Sequence, residues 1–385
     1  MRMIRHHRIR ALRELQGLTQ EELARKVGVS RQSVAAWERG EAIPNLENLI
    51  LLARALGVPF ETFLGSGEDK AELSFLFRAE SLVMTRDVLP GYDQKALEYA
   101  EPENMLGDML AGYAKKALEY AELENMLGEA PELPPQFPGF DARPEFVEKA
   151  ARSIREWLGV GAGVLHDVFG RLEDKGFKIF FEPLLPDISG FSAYSPDFGV
   201  AFFINRNHPG ERQIFTALHE LGHLVFHRNE YSSSGVLVLS KDDPREQGAN
   251  RFAAAVLLPP ETVREELHPV GRKLSFPLLR QLKRKYSVSI RTLVRRAADV
   301  GLIDKSRADW YRRWLDERYG PTGEPDQLPS FVESPRFKRL VVLAVSREKI
   351  SRSRAVELLG ISMLELDELI RDWPEQELSP VESDR

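Results

Sequence analysis

Two histidines four residues apart, His219 and His223, flank a glutamate, Glu220, in the stretch ERQIFTALHELGHLVFH. Ile214, Phe215, Leu218, Leu221 and Val225 recur around them at helical spacing, so the segment predicts a buried helix. Four residues on a helix amount to about 40° of rotation and about 6 Å of rise, which lets both imidazoles reach one tetrahedral metal ion. Glu220 points about 100° away, where a general base can stand beside the metal without binding it. The bland alternative is a pair of histidines hydrogen-bonded inside an ordinary core. The setting disfavours it, because the apolar helix follows three segments of strand character, FKIFFEPL, GFSAYS and GVAFFIN.

A tetrahedral site needs a third protein ligand. His227 continues the stripe but lies about 12 Å along the axis from His219, too far for one zinc with bonds near 2 Å. Glu246, in DDPREQGANRFAAAVLLPP, is favoured, with Glu230, Asp242, Asp243 and His227 as alternatives. A rival role for Glu246 is structural: Asp243 as N-cap, Pro244 at the first helical position and Glu246 three residues past the cap form a capping box. In favour of the ligand role, Ala249, Phe252 and Ala253 form a small-residue, apolar side that lets this helix pack closely on the histidine helix. For a peptide substrate, the edge of GVAFFIN offers strand pairing, and Tyr231 is a candidate oxyanion donor.

The positioning elements belong to a chain of 385 residues with 53 basic and 59 acidic side chains and no cysteine. That length suggests two or three domains. The missing cysteines exclude disulfides, iron–sulfur clusters, thiolate metal sites and cysteine nucleophiles, so a metal must sit on nitrogen and oxygen. The sequence shows neither a secretion signal nor about 18 consecutive apolar residues, which predicts a cytoplasmic protein without a membrane span. A net charge of −6 argues against indiscriminate nucleic-acid binding by the whole chain. Residues 1–40 nevertheless form a locally basic end, with Arg2, Arg5, Arg8, Arg10, Arg13, Arg25, Lys26, Arg31 and Arg39 against four glutamates.

In that basic end, Leu23, Ala24 and Val27, then Val34 and Trp37, then Leu46, Ile50, Leu51 and Leu56 fall at helical spacing. Thr19 caps one helix and Ser30 the next, with a bend at Gly28, which is the outline of a helix-turn-helix. The segment LTQEELARKVGVSRQSVAAWERG resembles the Xre, or lambda-repressor-like, DNA-binding domains. The resemblance implies that Gln20 approaches a phosphate and that Arg31, Gln32, Ser33 and Ala36 lie on the face of the recognition helix that enters the major groove of a double-stranded operator. Arg31 or Gln32 would read bases, since both make bidentate contacts. Paired half-sites would be read by a homodimer.

Between these regions the chain repeats itself: KALEYAEPENMLG at 95–107 returns as KALEYAELENMLG at 116–128. This predicts a spacer or dimerisation helix that kinks or stops at Pro102. PELPPQFPGFDARP reads as a proline linker. Beyond Asp304 the stretch ERYGPTGEPDQLPS reads as another linker, and the last helices outline a second helix-turn-helix, whose simplest role is packing.

GERQIFTALHELGHLVFH, EQGANRFAAAVLLP and KYSVSIRTLVRRAADVGLI together resemble the ImmA/IrrE family of metallopeptidases. The resemblance implies a minimal gluzincin with His219, His223 and Glu246 as Zn2+ ligands and Glu220 as catalyst. Gly248 stands where the family more often has a second acidic residue. The expected fold class is multidomain: an all-α helix-turn-helix domain (1–67), a helical linker (68–130), a proline-rich linker (131–144), an α+β zincin-like metallopeptidase domain (145–304) and a helical C-terminal region (305–385). The expected function is a DNA-binding transcriptional regulator that cleaves a small helix-turn-helix repressor in a stress or mobile-element response. The rival is a transcription factor that uses the metallopeptidase fold as a metal or ligand sensor and cuts nothing.

Overall fold

A computed structural model describes residues 6–16, 18–39, 42, 44, 48, 51–52, 55–56, 74–78, 102–137, 140, 143–184, 186, 188–195, 198–228, 236–239, 243–267 and 273–373. The chain divides into two compact units, one containing the N-terminal helices and the other residues 116–228 with most of the C-terminal part.

In the first unit, α1 (His6–Leu15), α2 (Gln20–Val27) and α3 (Arg31–Arg39) close on a core that includes Ile9, Leu23, Val27, Val34, Trp37 and Leu52. Thr19 Oγ1 accepts from the Glu22 amide at 3.2 Å while the Glu22 carboxylate accepts from the Thr19 amide at 2.7 Å, a reciprocal cap that starts α2. Gly28 ends it at φ 78°, ψ 31°, the left-handed conformation that glycine adopts without strain. Arg13 and Glu38 form a buried pair, with Nε and Oε1 2.6 Å apart, tying α1 to α3.

Two short strands, β1 (Ser74–Arg78) and β5 (Val236–Leu239), and a long helix, α4 (Pro102–Leu127), are also described. The helix runs from Pro102 through the second repeat copy, and the residues before Pro102, on which the expected kink or stop depends, lie outside the described residues.

The second unit is built around β2 (Lys178–Glu182), β3 (Gly190–Ser195) and β4 (Gly199–Asn205). β4 pairs in parallel with β2, Lys178 opposite Ala201, and antiparallel with β3, Ser192 opposite Phe202. Every residue of GVAFFIN is buried, as a strand flanked on both sides requires. Around this sheet lie α5 (Pro144–Trp157), α6 (Val168–Asp174), α7 (Gly210–His227), α8 (Pro244–Leu257), α9 (Pro260–Glu266), α10 (Phe276–Tyr286), α11 (Ile290–Asp299), α12 (Lys305–Tyr319), α13 (Pro335–Ser346), α14 (Arg352–Leu359) and α15 (Met363–Arg371). Arg155 of α5 and Arg296 of α11 donate to the Val256 and Leu258 carbonyls at the end of α8, fixing its outer end.

Segments expected to be linkers are packed. In the proline-rich stretch, the Phe137 amide donates to the Val225 carbonyl at 2.9 Å and the Arg228 guanidinium to the Pro134 carbonyl, so it lies along the end of α7. The stretch after α12 crosses the start of α7: the Gly210 amide donates to the Leu328 carbonyl at 3.1 Å, and the Leu328 and Phe331 amides donate to Glu211 and Gln213 at 2.9 and 2.7 Å. Gly210 is required there, since a Cβ would stand 2.4 Å from the Pro329 carbonyl oxygen. The second repeat copy is likewise no free spacer. Tyr120 and Leu123 enter a core with Leu340, Val341, Ala344 and Leu366, and Glu124 meets Lys178 at 2.6 Å. Lys95 to Glu101 of the first copy lie outside the described residues.

At the C-terminus, α14, a left-handed Gly360 and the Ser362-capped α15 repeat the geometry of α2 and α3. Their outward residues are Met363, Leu364, Glu365 and Glu368 in place of arginine and glutamine. Carboxylates repel phosphates, and this pair packs on the core around Tyr120 instead. Among the described residues no helix is long and apolar enough to cross a membrane.

Candidate metal centre and helix-turn-helix face

All of α7 except Arg212 and Phe215 is buried, so the helix that presents the histidines is an interior element. Its contact with α8 is close because Gly222 lacks a side chain: a Cβ there would lie 3.2 Å from the Ala249 Cα and 3.0 Å from the Phe252 Cδ1. The small-residue side of α8 thus meets α7, and Glu246 is brought to the histidines.

His219 Nε2 and His223 Nε2 are 3.0 Å apart, and the Glu246 carboxylate oxygens lie 3.3 Å from the first and 3.0 Å from the second. All three residues are buried. A tetrahedron with bonds of 2.0–2.1 Å has edges of about 3.3–3.4 Å, so these separations suit ligands sharing one zinc-sized ion. The donor set also fits, since two imidazole nitrogens and a carboxylate whose lone pairs converge are satisfied together by a cation. Burial alone would raise the Glu246 carboxyl, but its hydrogen bonds and charge contacts with His219 and His223 hold it well below the usual carboxylate range.

Asp243 supplies the cap, accepting from the Arg245 amide at 2.9 Å, and its carboxylate also binds the Arg245 guanidinium. Capping is therefore done by Asp243, with Glu246 turned to the histidines. His227 sits apart, its ring 6.0 Å from that of His223 and 5.0 Å from Phe140. Glu230, Tyr231 and Asp242 lie outside the described residues.

Glu220 is buried and accepts a hydrogen bond at Oε2 from the Ser192 hydroxyl of β3. Sequence reasoning missed Ser192, which nothing in GFSAYS distinguishes from Ser195, the other serine of the strand. Gly248 also gains a reason. A Cβ at that position would lie 2.2 Å from Cζ of Phe140, so the glycine makes room for the ring that packs on His227. The expectation that a substrate pairs with β4 is corrected, because β2 and β3 occupy both of its edges.

On the helix-turn-helix, Arg31 and Gln32 are exposed at the start of α3, while Ser33 and Ala36 are half-buried. The Ser33 hydroxyl is 2.8 Å from that of Ser30, its own helix cap. Gln20 donates to the Glu38 carboxylate at 2.8 Å, so only its other N–H remains for a phosphate.

These features define a helix-turn-helix chain with a metallopeptidase-like second unit. A helix-turn-helix family model matches residues 9–63, and the Peptidase_M78 family, described as the IrrE N-terminal-like domain, matches residues 172–298. An uncharacterized HTH-type transcriptional regulator of Methanothermobacter thermautotrophicus is 53% identical over 55 residues, 14% of this chain and 72% of that protein. Another, from Methanocaldococcus jannaschii, is 42% identical over 55 residues, 14% of this chain and 83% of that protein. Repressor protein C2 of Salmonella phage P22 is 47% identical over 49 residues, 13% of this chain and 23% of that protein. The chain belongs to the helix-turn-helix transcriptional regulators through its N-terminal residues, and it joins to them an IrrE-like domain.

Proposed function

We propose that the chain is a DNA-binding transcriptional regulator whose IrrE-like domain is a zinc-dependent endopeptidase acting on a small helix-turn-helix repressor. The observation that carries this reading is the convergence of His219, His223 and Glu246 beside a buried Glu220 that is outside the ligand set. His219, His223 and Glu246 would hold the zinc, which supplies Lewis acidity to the peptide carbonyl and to the attacking water. Ser192 donates to Oε2 of Glu220 and so orients the carboxylate that would take the proton from the water and pass it to the leaving amine. The buried surroundings exclude bulk water from this transfer. Arg31 and Gln32 would contact operator bases, and Gln20 the backbone.

The test is incubation of the zinc-loaded chain with candidate helix-turn-helix repressors. Cleavage that disappears in Glu220→Gln, with zinc retained, supports the reading. A wild-type chain that binds zinc and its operator but cuts nothing, and whose operator response is unaltered by Glu220→Gln, establishes the sensor reading instead.

A further inference from the structure

The duplicated segment enters neither the metal centre nor the operator face, yet its second copy is seated in a specific groove of the second unit. Lys116, Glu119, Tyr120, Leu123, Glu124 and Leu127 follow one side of α4 at the spacing of successive helical turns. Lys116 pairs with Glu182 at the end of β2, and the Glu119 carboxylate accepts from the Arg354 guanidinium of α14 at 2.9 Å. Tyr120 is fully buried, its ring 5.9 Å from that of Phe180 and 4.9 Å from that of Phe337. Leu123 enters the core with Leu340, Ala355 and Leu366, and Leu127 packs at its margin. Glu124 binds Lys178 and Arg336, and Glu129, just past the copy, binds Arg336 and Arg339. Gly128, at φ 76°, follows the last helical residue.

The first copy carries the same set. Lys95, Glu98, Tyr99, Glu103 and Leu106 correspond to Lys116, Glu119, Tyr120, Glu124 and Leu127, and Asp108 supplies the acid of Glu129. Within the copies only Pro102 differs, standing in place of Leu123. Gly107, the counterpart of Gly128, lies inside α4, where a glycine weakens the helix and stops nothing. The copies are offset by 21 residues, about 32 Å along a helix, so one groove seats one copy at a time.

We infer that this groove is a docking site for the repeat itself, that the first copy, 95–107 of the same chain, is its second occupant, and that Pro102 against Leu123 decides which copy is seated. Proline inside the seated helix removes a hydrogen bond, collides with the preceding turn and leaves the place of Leu123 in the core unfilled. The remaining contacts have a matching residue in both copies. A copy in the same chain prevails over one from another molecule, because a tether supplies an effective concentration of about millimolar. Seating the first copy shortens the chain between the helix-turn-helix and the groove by 21 residues and releases the second copy ahead of α5. The two seatings thus give two tether lengths between the DNA-binding unit and the metallopeptidase-like unit.

The full chain has no cysteine, so introduced pairs report the seating through a short, flexible bis-maleimide. Glu119→Cys with Arg354→Cys links when the second copy is seated, and Glu98→Cys with Arg354→Cys links when the first is. With Pro102 present, linking is expected at 119 and at background level at 98. Pro102→Leu makes the copies identical and is expected to shift the ratio of the two links by about 100-fold towards 98, within single chains at micromolar protein. The second copy is intact in this variant, so the groove can fold whatever the answer, and thermal melting checks that it does. An unchanged ratio in folded Pro102→Leu overturns the inference and leaves the first copy as a mere lengthening of α4. Links from 98 to 354 found only between chains overturn it too, since the occupant is then a second molecule.

Discussion

Gly222 of α7 and Ala249 of α8 face each other so closely that a Cβ on the glycine would stand 3.3 Å from the Cβ of the alanine. This approach sets the spacing between the helix that carries His219 and His223 and the helix that carries Glu246. Gly222→Ala must push the helices apart by a few tenths of an ångström, and Gly222→Leu by much more. The leucine variant is expected to be destabilised by about 1–3 kcal/mol in denaturant unfolding, as overpacked cores are. Its zinc affinity is expected to fall by about 10–100-fold in chelator competition, the usual effect of disturbing ligand support.

Ser192→Ala removes the hydrogen bond that orients Glu220 but leaves the three proposed metal ligands intact. Zinc content is expected to be unchanged, while the cleavage rate falls by about 10-fold or more. Parallel metal analysis and single-turnover assays separate the two effects.

Gly248→Asp places a Cβ on the Phe140 ring and expels that ring from His227. A loss of about 1–3 kcal/mol in unfolding free energy is expected from overpacking. Thermal or urea melts check this, and a second substitution, Phe140→Ala, should recover part of the loss introduced by aspartate.

Arg13→Ala leaves the Glu38 carboxylate buried without its guanidinium partner. Removing one member of a buried pair costs about 3–5 kcal/mol, so the helix-turn-helix is expected to unfold at markedly lower denaturant. Gln20 still donates to that carboxylate, which has lost its charged support. Operator binding should weaken in step with the loss of helical signal.

Burial pushes the Glu173 carboxyl up to about 7, against the Ser334 hydroxyl and the Arg336 backbone and charge that favour its ionised form, with Asp167 also raising it. The folded state therefore holds this proton more tightly than the unfolded state, and the associated stability is present below about pH 4.5 and is lost as pH rises to about 7. Over that window wild type is expected to lose up to about 3 kcal/mol that Glu173→Gln does not. Unfolding curves at pH 4 and pH 8 measure the difference.

Much of this architecture was legible where local chemistry decides it. The Thr19–Glu22 cap, the turn at Gly28 and the four-residue spacing of His219 and His223 each follow from helix geometry alone. Glu246 could not be separated from its capping role in the same way, because that depends on how two helices meet, and Gly222 governs the meeting. The segments around Pro134 and Leu328 read as linkers because proline and glycine mark turns. What holds them is polar groups on α7 that a periodicity argument passes over, such as Glu211 and Gln213. Ser192 comes from β3 and Glu220 from α7, and no spacing in sequence connects the two.

The central claim is best tested by zinc titration of the intact chain and three variants against a competing chelator. One zinc per chain is expected, with affinity lowered by about 100-fold or more in His219→Ala and Glu246→Ala and retained in Glu220→Gln. Wild-type affinity in Glu246→Ala, or loss of the metal in Glu220→Gln, would contradict the assignment of ligand and base.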